Sequence, residues 1–358
     1  MKHHYPLLDL MVSDMERAPA HYQPTYFWQQ GIGSIVSELC EHGVENFRRM
    51  DSAMGFFVPT YSFPGWTSAP ERYEPVLAAL RALKPDDPRL EMLLKKFLAG
   101  EAQAYADYRV FQAARDDNPL YLDRVSESEI GRPIERFRFG DAWFSRSMLN
   151  YLLGLCFLKS RVETKDIHTV MEIGGGYGTL GEILLGDDRN DVFYMDVDIP
   201  PVAFMATWYL KERFGAGCVA GYDELRGLDV LELAVLRKKY RAVVICPWLL
   251  ANVKGQLDLF ANFMSFQEME PDVVRNYLAE VERLESRYIL LRNLREGKNT
   301  ATDKNSIGVR EPIRDADYDK FLPFYRLLDT NTEPFGFKTV DGFHSELRLY
   351  ARDPAACR

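Results

Sequence analysis

The chain has no Lys/Arg run longer than three residues, and its formal net charge is -9 over 358 residues. Such a surface repels phosphate backbones and anionic lipid, so neither nucleic acid nor a membrane is expected as a partner. It has no C-x-x-C pair. Cys40, Cys156, Cys218, Cys246 and Cys357 are scattered and odd in number, the pattern of reduced structural thiols, which points to a cytoplasmic setting. It also lacks a long apolar run: the most apolar stretch, "MLNYLLGLCFL", is about half of what a bilayer span needs. The opening "MKHHYPLLDLMVSDMER" meets acid at Asp9 and has no apolar core, so no signal peptide is read. There is no H-x-x-x-H and no clustered Asp/His set, and no metal is expected. Internal repeats and low-complexity tracts are missing as well.

What is present suits a packed interior. The hydrophobic share is 47%, with 22 Phe, 19 Tyr and 5 Trp. The length exceeds what one ordinary core holds, and two parts are read. Residues 1–165 form a mainly helical region: "FWQQGIGSIVSELCEHGVENFRRM" places Ile32, Ile35, Val36 and Leu39 on one face. The aromatic, Pro-rich stretch "FFVPTYSFPGWTSAPERYEP" reads as a structured loop, and "KPDDP" as a break between helices.

From 166 to 358 the rhythm changes. The short runs "HTVMEI", "DVFYMDVDI", "RAVVICPW", "LDLFANF" and "RYILLRN" alternate with helical patterns, one opening at Pro271. Alternation of this kind implies βαβ units and a parallel sheet covered by helices. Near the end, "FGFKTV" and "FHSELRLYAR" flank Asp341-Gly342, a hairpin link. The sheet is therefore expected to finish with an antiparallel pair.

The stretch "TVMEIGGGYGTLGEILL" joins the first run to its helix and holds five glycines in eight residues. In this architecture ligands lie beyond the carboxyl ends of the strands. Glycines there allow a tight turn and a close approach by the ligand. A dinucleotide fingerprint, G-x-G-x-x-G, fails from Gly174, where the sixth place is Thr179, but holds from Gly176 through Gly178 to Gly181. A bare strand-to-helix turn is the structural alternative.

Glu172-Ile-Gly174-Gly175-Gly176-Tyr177-Gly178 is also E-x-G-x-G-x-G. This resembles motif I of the class I S-adenosylmethionine-dependent methyltransferases. "DVDIPPVAFMATWYL" and "LDLFANFMSFQEME", the latter with Asn262, Ser265, Phe266, Glu268 and Met269, resemble more narrowly a family of bacterial sugar O-methyltransferases. "YFWQQ", "NFRR" and "IGRP" extend that likeness loosely through the helical part.

The resemblance implies a Rossmann-like seven-stranded sheet with a terminal antiparallel hairpin, S-adenosyl-L-methionine as cofactor, and a sugar or other small molecule as methyl acceptor. It implies that Gly174, Gly175, Gly176 and Gly178 pass under the cofactor and that Glu172 orders the loop and faces the cofactor's amino group. An acid at the end of the second run would take both ribose hydroxyls; Asp198 is preferred, with Asp196 in reserve. Further cofactor candidates are Tyr177 over the ligand, Trp248 near the adenine, Asn262 in the later motif, and Ser147 with Tyr151 at the methionine end.

A sugar hydroxyl is a poor nucleophile near neutral pH, so a general base is sought. Aligning "NFMSFQEM" with the L-H-D-W stretch of small-molecule O-methyltransferases puts Gln267 where that family has its basic His. Gln takes no proton, which leaves neighbouring Glu268 as first candidate, with helix capping as its structural alternative. His344, beyond the Asp-Gly link, is the second. The stretch "REGKNTATDKNSIGVREPIRDADYDK" is read as an acceptor-side lid or a plain surface loop. The helical region is read as a cover over the acceptor and a candidate contact between copies of the chain. An amine, acid or phenol acceptor, and a nicotinamide cofactor, stay open.

Overall fold

A computed structural model describes residues 3–59, 70–83, 87–302, 308–339, 342–353 and 355. The β-rich half forms one sheet. Its strands are β1 (Thr169–Ile173), β2 (Phe193–Val197), β3 (Val219–Ala220), β4 (Ala242–Ile245), β5 (Leu259–Phe263), β6 (Tyr288–Leu294), β7 (Tyr325–Asn331), β8 (Phe337–Lys338) and β9 (His344–Arg352). Their order across the sheet is β7-β9-β6-β5-β1-β2-β4-β3, with β8 paired to the start of β9. From β6 through β5, β1, β2 and β4 to β3 the pairing is parallel, while β9 runs antiparallel to both β6 and β7. This is the Rossmann-like α/β sheet expected from the sequence. It has nine strands rather than seven because two-residue β3 and β8 add to the edges. The hairpin closes where the Thr339 N–H donates to the Phe343 carbonyl at 2.7 Å; Asp341 of the expected link lies outside the described residues.

β1, β2, β4 and β5 are buried at every position, so both sheet faces are covered. The helix Thr179–Leu185 leads from β1 to β2, and Val202–Phe214 follows β2. Pro271 stands at the first turn of the helix Pro271–Arg283, where its missing N–H costs nothing.

The helical half follows its pattern. Ile35 and Leu39 of the helix Ile32–His42 are fully buried, and Gly43 ends it at φ +85°. The expected break separates Pro70–Leu83 from Pro88–Leu98, the second capped by Asp87, which accepts the Arg89 and Leu90 N–H groups. The apolar stretch read as too short for a membrane lies in the helix Arg146–Lys159. Ser145 caps it, accepting the Met148 N–H at 3.0 Å, and every residue from Arg146 to Leu158 is buried. A helix apolar on all sides belongs in an interior, and this one packs between Glu101–Ala114 and the sheet, with Gly154 against the ring of Phe263. Buried residues of both halves join in one apolar cluster, from Leu8 and Phe47 to Leu347 and Tyr350. Among the described residues no helix is long and apolar enough to cross a membrane, and the described cysteines are free thiols. Cys357 lies outside them.

Candidate functional site

A cavity of about 360 Å³ opens at the carboxyl ends of β1, β2 and β5. That volume and position suit a small-molecule site. One side is built by the glycine loop. Gly174 and Gly176 have φ of +72° and +63°, a region that L side chains avoid. A Cβ on Gly174 would stand 1.9 Å from Ser265 Oγ, and one on Gly175 2.5 Å from Asp196 Oδ1. A side chain at Gly174 would collide with Ser265 and one at Gly175 with Asp196 under the loop, so bare backbone faces the cavity there. The Gly176 N–H donates to Asp198 Oδ2 at 3.0 Å and the Ile199 N–H to Asp198 Oδ1 at 2.7 Å. The two donors fix the Asp198 carboxylate at the tip of β2, on the cavity wall.

The two acids of β2 part ways here. Asp198 lines the cavity; Asp196, two residues back on the same face, is fully buried beneath Gly175 and does not. Burial pushes both carboxyls above their usual range, and the loop N–H groups pull Asp198 back down in part. Glu172 is likewise sealed below the loop, where the Tyr194 hydroxyl donates to its Oε2 at 2.7 Å and burial raises it to about 7. The expected contact of Glu172 with a ligand's amino group is thus corrected: the strand turns it into the layer under the loop.

Other expected residues sort by the face they occupy. Tyr177, Ser147 and Tyr151 line the cavity. Tyr177 is also wedged among Phe47, Phe57 and Tyr209, with its hydroxyl donating to Glu127 at 3.3 Å. Gly178 lies outside the lining and starts the next helix at φ +96°. Asn262 is fully buried and does not reach the cavity. It donates to the Ile173 carbonyl at 2.8 Å and accepts from the Phe266 N–H and the Asn293 amide, clamping the end of β1 to the turn after β5. Trp248 points away too, its indole N–H donating to the Tyr222 hydroxyl at 3.0 Å, and only neighbouring Pro247 lines the wall. His344 is a further correction. Strand alternation sends Phe343 and Ser345 into the cavity and His344 to the other face, where Nδ1 lies 2.7 Å from Glu296 Oε1.

Glu268 does line the cavity, as Asp198 does. Its Oε1 accepts from Lys298 Nζ at 2.6 Å, and the Lys298 ammonium sits 3.8 Å over the ring of Phe27. Burial raises the Glu268 carboxyl, while Lys298 and the Trp28 indole lower it. Gln267 also lines the wall, with its side-chain carbonyl held by the Leu294 N–H at 2.9 Å.

The remaining wall comes from the helical half, including Thr25, Trp28, Phe56 and Phe57, with Trp28 and Phe56 stacked at 4.9 Å between centroids. Lys298 and these residues were not singled out in the sequence. Their signal was the aromatic density of the stretch beginning at Phe56, of which residues 60–69 lie outside the described residues. Of the lid stretch, Lys298 and Asn299 reach the cavity, and 303–307 lie outside. Met264, at φ +63°, makes the turn that brings Ser265, Gln267 and Glu268 to the wall. No group of His, Cys, Asp and Glu suited to a metal ion occurs among the described residues.

No protein-family model and no curated protein matches the sequence. Among solved structures, a mitomycin 7-O-methyltransferase is 14% identical, with 58% of this chain and 54% of that one aligned at a TM-score of 0.38. Magnesium protoporphyrin IX methyltransferase from Synechocystis, with bound SAH, is 12% identical over 57% of this chain and 84% of that one, at 0.36. A protein from Pyrococcus horikoshii is 14% identical over 58% and 92%, at 0.39. The alignment therefore spans about half of the mitomycin enzyme. At such identities and scores these likenesses fix neither cofactor nor acceptor.

Proposed function

We propose that the chain is an S-adenosylmethionine-dependent methyltransferase acting on a hydroxyl of a sugar or sugar-containing small molecule. The observation that carries this is the pairing, across one cavity, of a side-chain-free loop with Asp198 on one wall and Glu268 on the other. The residues fit the cofactor: Gly174–Gly176 line the cavity with backbone alone, and Asp198 keeps lone pairs for a vicinal diol after accepting two N–H groups. When bound, the cofactor would supply an electrophilic methyl group on sulfonium sulfur, transferred to the acceptor oxygen with S-adenosylhomocysteine as leaving group. Tyr151, Ser147 and the loop hold the donor end. Trp28 and Phe56 give an apolar face on which the C–H side of a sugar ring packs. Glu268 accepts the hydroxyl proton as the new bond forms, a contribution of roughly 10²–10⁴-fold. The walls align donor and acceptor and keep water out, and much of the acceleration rests on that positioning.

The division at 165/166, with residues 1–165 as the acceptor cover and a candidate contact between copies, belongs to the same reading, as does a cytoplasmic setting. One observation favours the second reading, an amine, acid or phenol acceptor. Lys298 and Trp28 already occupy the Glu268 carboxylate, and an amine needs a base less. A labelled-methyl assay over nucleotide sugars, glycosides and amines separates the two. Binding of a nicotinamide dinucleotide in place of the sulfonium cofactor would overturn both.

A further inference from the structure

Under the glycine loop, Oε1 of Glu172 and both oxygens of Asp196 make no hydrogen bond of good geometry, although the Tyr151 hydroxyl lies near Glu172 and the Gly175 and Val197 N–H groups near Asp196. Native interiors pair nearly all such atoms, because an unpaired one loses its hydration for nothing in return. The two acids stand opposite each other in register on β1 and β2. Asp196 Oδ1 lies 2.5 Å from where a Gly175 Cβ would be, so only the loop backbone separates it from the cavity.

The groups facing this pair are Tyr194 and Asp198 from β2 and Tyr151 from the helix Arg146–Lys159. Asp198 in turn faces Glu268, Cys246 and Tyr277. None of these is a cation. Burial raises Glu172 to about 7 against the Tyr194 and Tyr151 hydroxyls, and burial with the neighbouring acids raises Asp196 well above the usual carboxylate range against the Gly175 and Val197 N–H groups, so the pair is the part of the site that exchanges a proton near neutral pH. A purely structural pair would serve better as amides, which carry no charge to desolvate.

We propose that Glu172 and Asp196 form an acidic floor that selects a cationic methyl donor over its uncharged spent form, one proton leaving the floor as the cation settles above Gly174 and Gly175. This rests on reading the cavity as an S-adenosylmethionine site. The donor carries one positive charge more than S-adenosylhomocysteine, at the sulfonium. In a site of low dielectric that charge and an ionised floor attract far more strongly than in water. No covalent bond changes in this binding step, and the released proton passes to the buffer. By linkage, donor affinity rises with pH across the range in which the empty floor is protonated and levels above it, while product affinity stays nearly flat. The floor also acts on the empty protein. Both carboxyls are raised in the fold, so their stabilising contribution is complete below the unfolded carboxylate range and is lost as pH climbs through about 7 for Glu172.

Titration calorimetry at neutral pH in two buffers of different ionisation enthalpy tests this. The expected result is release of a substantial fraction of a proton with S-adenosylmethionine and none with S-adenosylhomocysteine. The donor-to-product affinity ratio should grow about tenfold between roughly pH 6 and pH 8. Asp196→Asn should abolish most of the release, flatten the ratio and raise the melting temperature at alkaline pH; Glu172→Gln gives the same readout if that variant does not fold. Donor binding without proton release, or release that survives both substitutions, overturns the floor and leaves the cofactor assignment standing. Failure of both ligands to bind overturns that assignment, and the floor with it.

Discussion

The two walls of the cavity are made in opposite ways. The loop wall is nearly continuous chain: residues 173–177 and 197–199 supply it from two neighbouring strands, and its one charged group is the acid Asp198. The rest of the lining is assembled from stretches within 23–28, 55–59, 263–269 and 294–299 and the terminal hairpin; it is rich in rings, and its acid is matched by Lys298. A ligand part common to many reactions can be held by a short local motif, while a part peculiar to one reaction needs surfaces collected from the whole chain. The two walls can therefore be tested separately.

The largest effect should come from Gly174→Ala, which places a methyl 1.9 Å from Ser265 Oγ at φ +72°. A loss of about 2–4 kcal/mol in chemical denaturation, with cofactor binding abolished, is expected. Wild-type stability would mean that the turn after β5 yields easily.

Glu268→Gln breaks the assembled wall alone. Turnover should fall by roughly 10²–10⁴-fold with cofactor affinity unchanged, read by steady-state kinetics beside calorimetry. Full activity removes Glu268 as base and moves the acceptor towards an amine. Asp198→Ala is the converse, with cofactor affinity expected to drop roughly 10- to 100-fold. If affinity holds, Asp198 is not the ribose contact.

Lys298→Met sharpens the charge contrast. Burial raises Glu268 and Lys298 lowers it, so removing the ammonium raises it further. A base works when deprotonated, so the acid limb of the kcat/KM profile should move to higher pH, and Lys298→Arg should restore it. An unmoved limb would separate the lysine from the base. The smallest effect belongs to His344→Ala, whose side chain turns from the cavity into a half-exposed contact with Glu296. Turnover should stay within about twofold and stability within about 1 kcal/mol.

The sheet, its terminal antiparallel pair and the cavity's position were legible because strand runs, helix patterns and glycine spacing are local properties. That Asp198 rather than Asp196 stands on the cavity wall was legible too, since the strand end is where the side chain meets the crevice. Three misplacements share one cause. Trp248, Asn262 and His344 each sit within a residue or a few of the cavity along the chain, yet each faces another layer. Which face a side chain takes at a strand end depends on register and on the turn that follows, and spacing alone does not reveal either. Glu172 shows the same limit, with its placement under the loop set by mid-strand alternation. Lys298 and the Trp28–Phe56 stack were hidden for a different reason: they come together only once the helical half has folded onto the sheet.

The helix Arg146–Lys159 offers no side on which variation would be harmless, since it is enclosed throughout. Changes meant to alter what the cavity takes are best made in the stretch 23–59 and the segment around Lys298, where replacing a ring or a charge reshapes the wall without removing the beam that carries the roof.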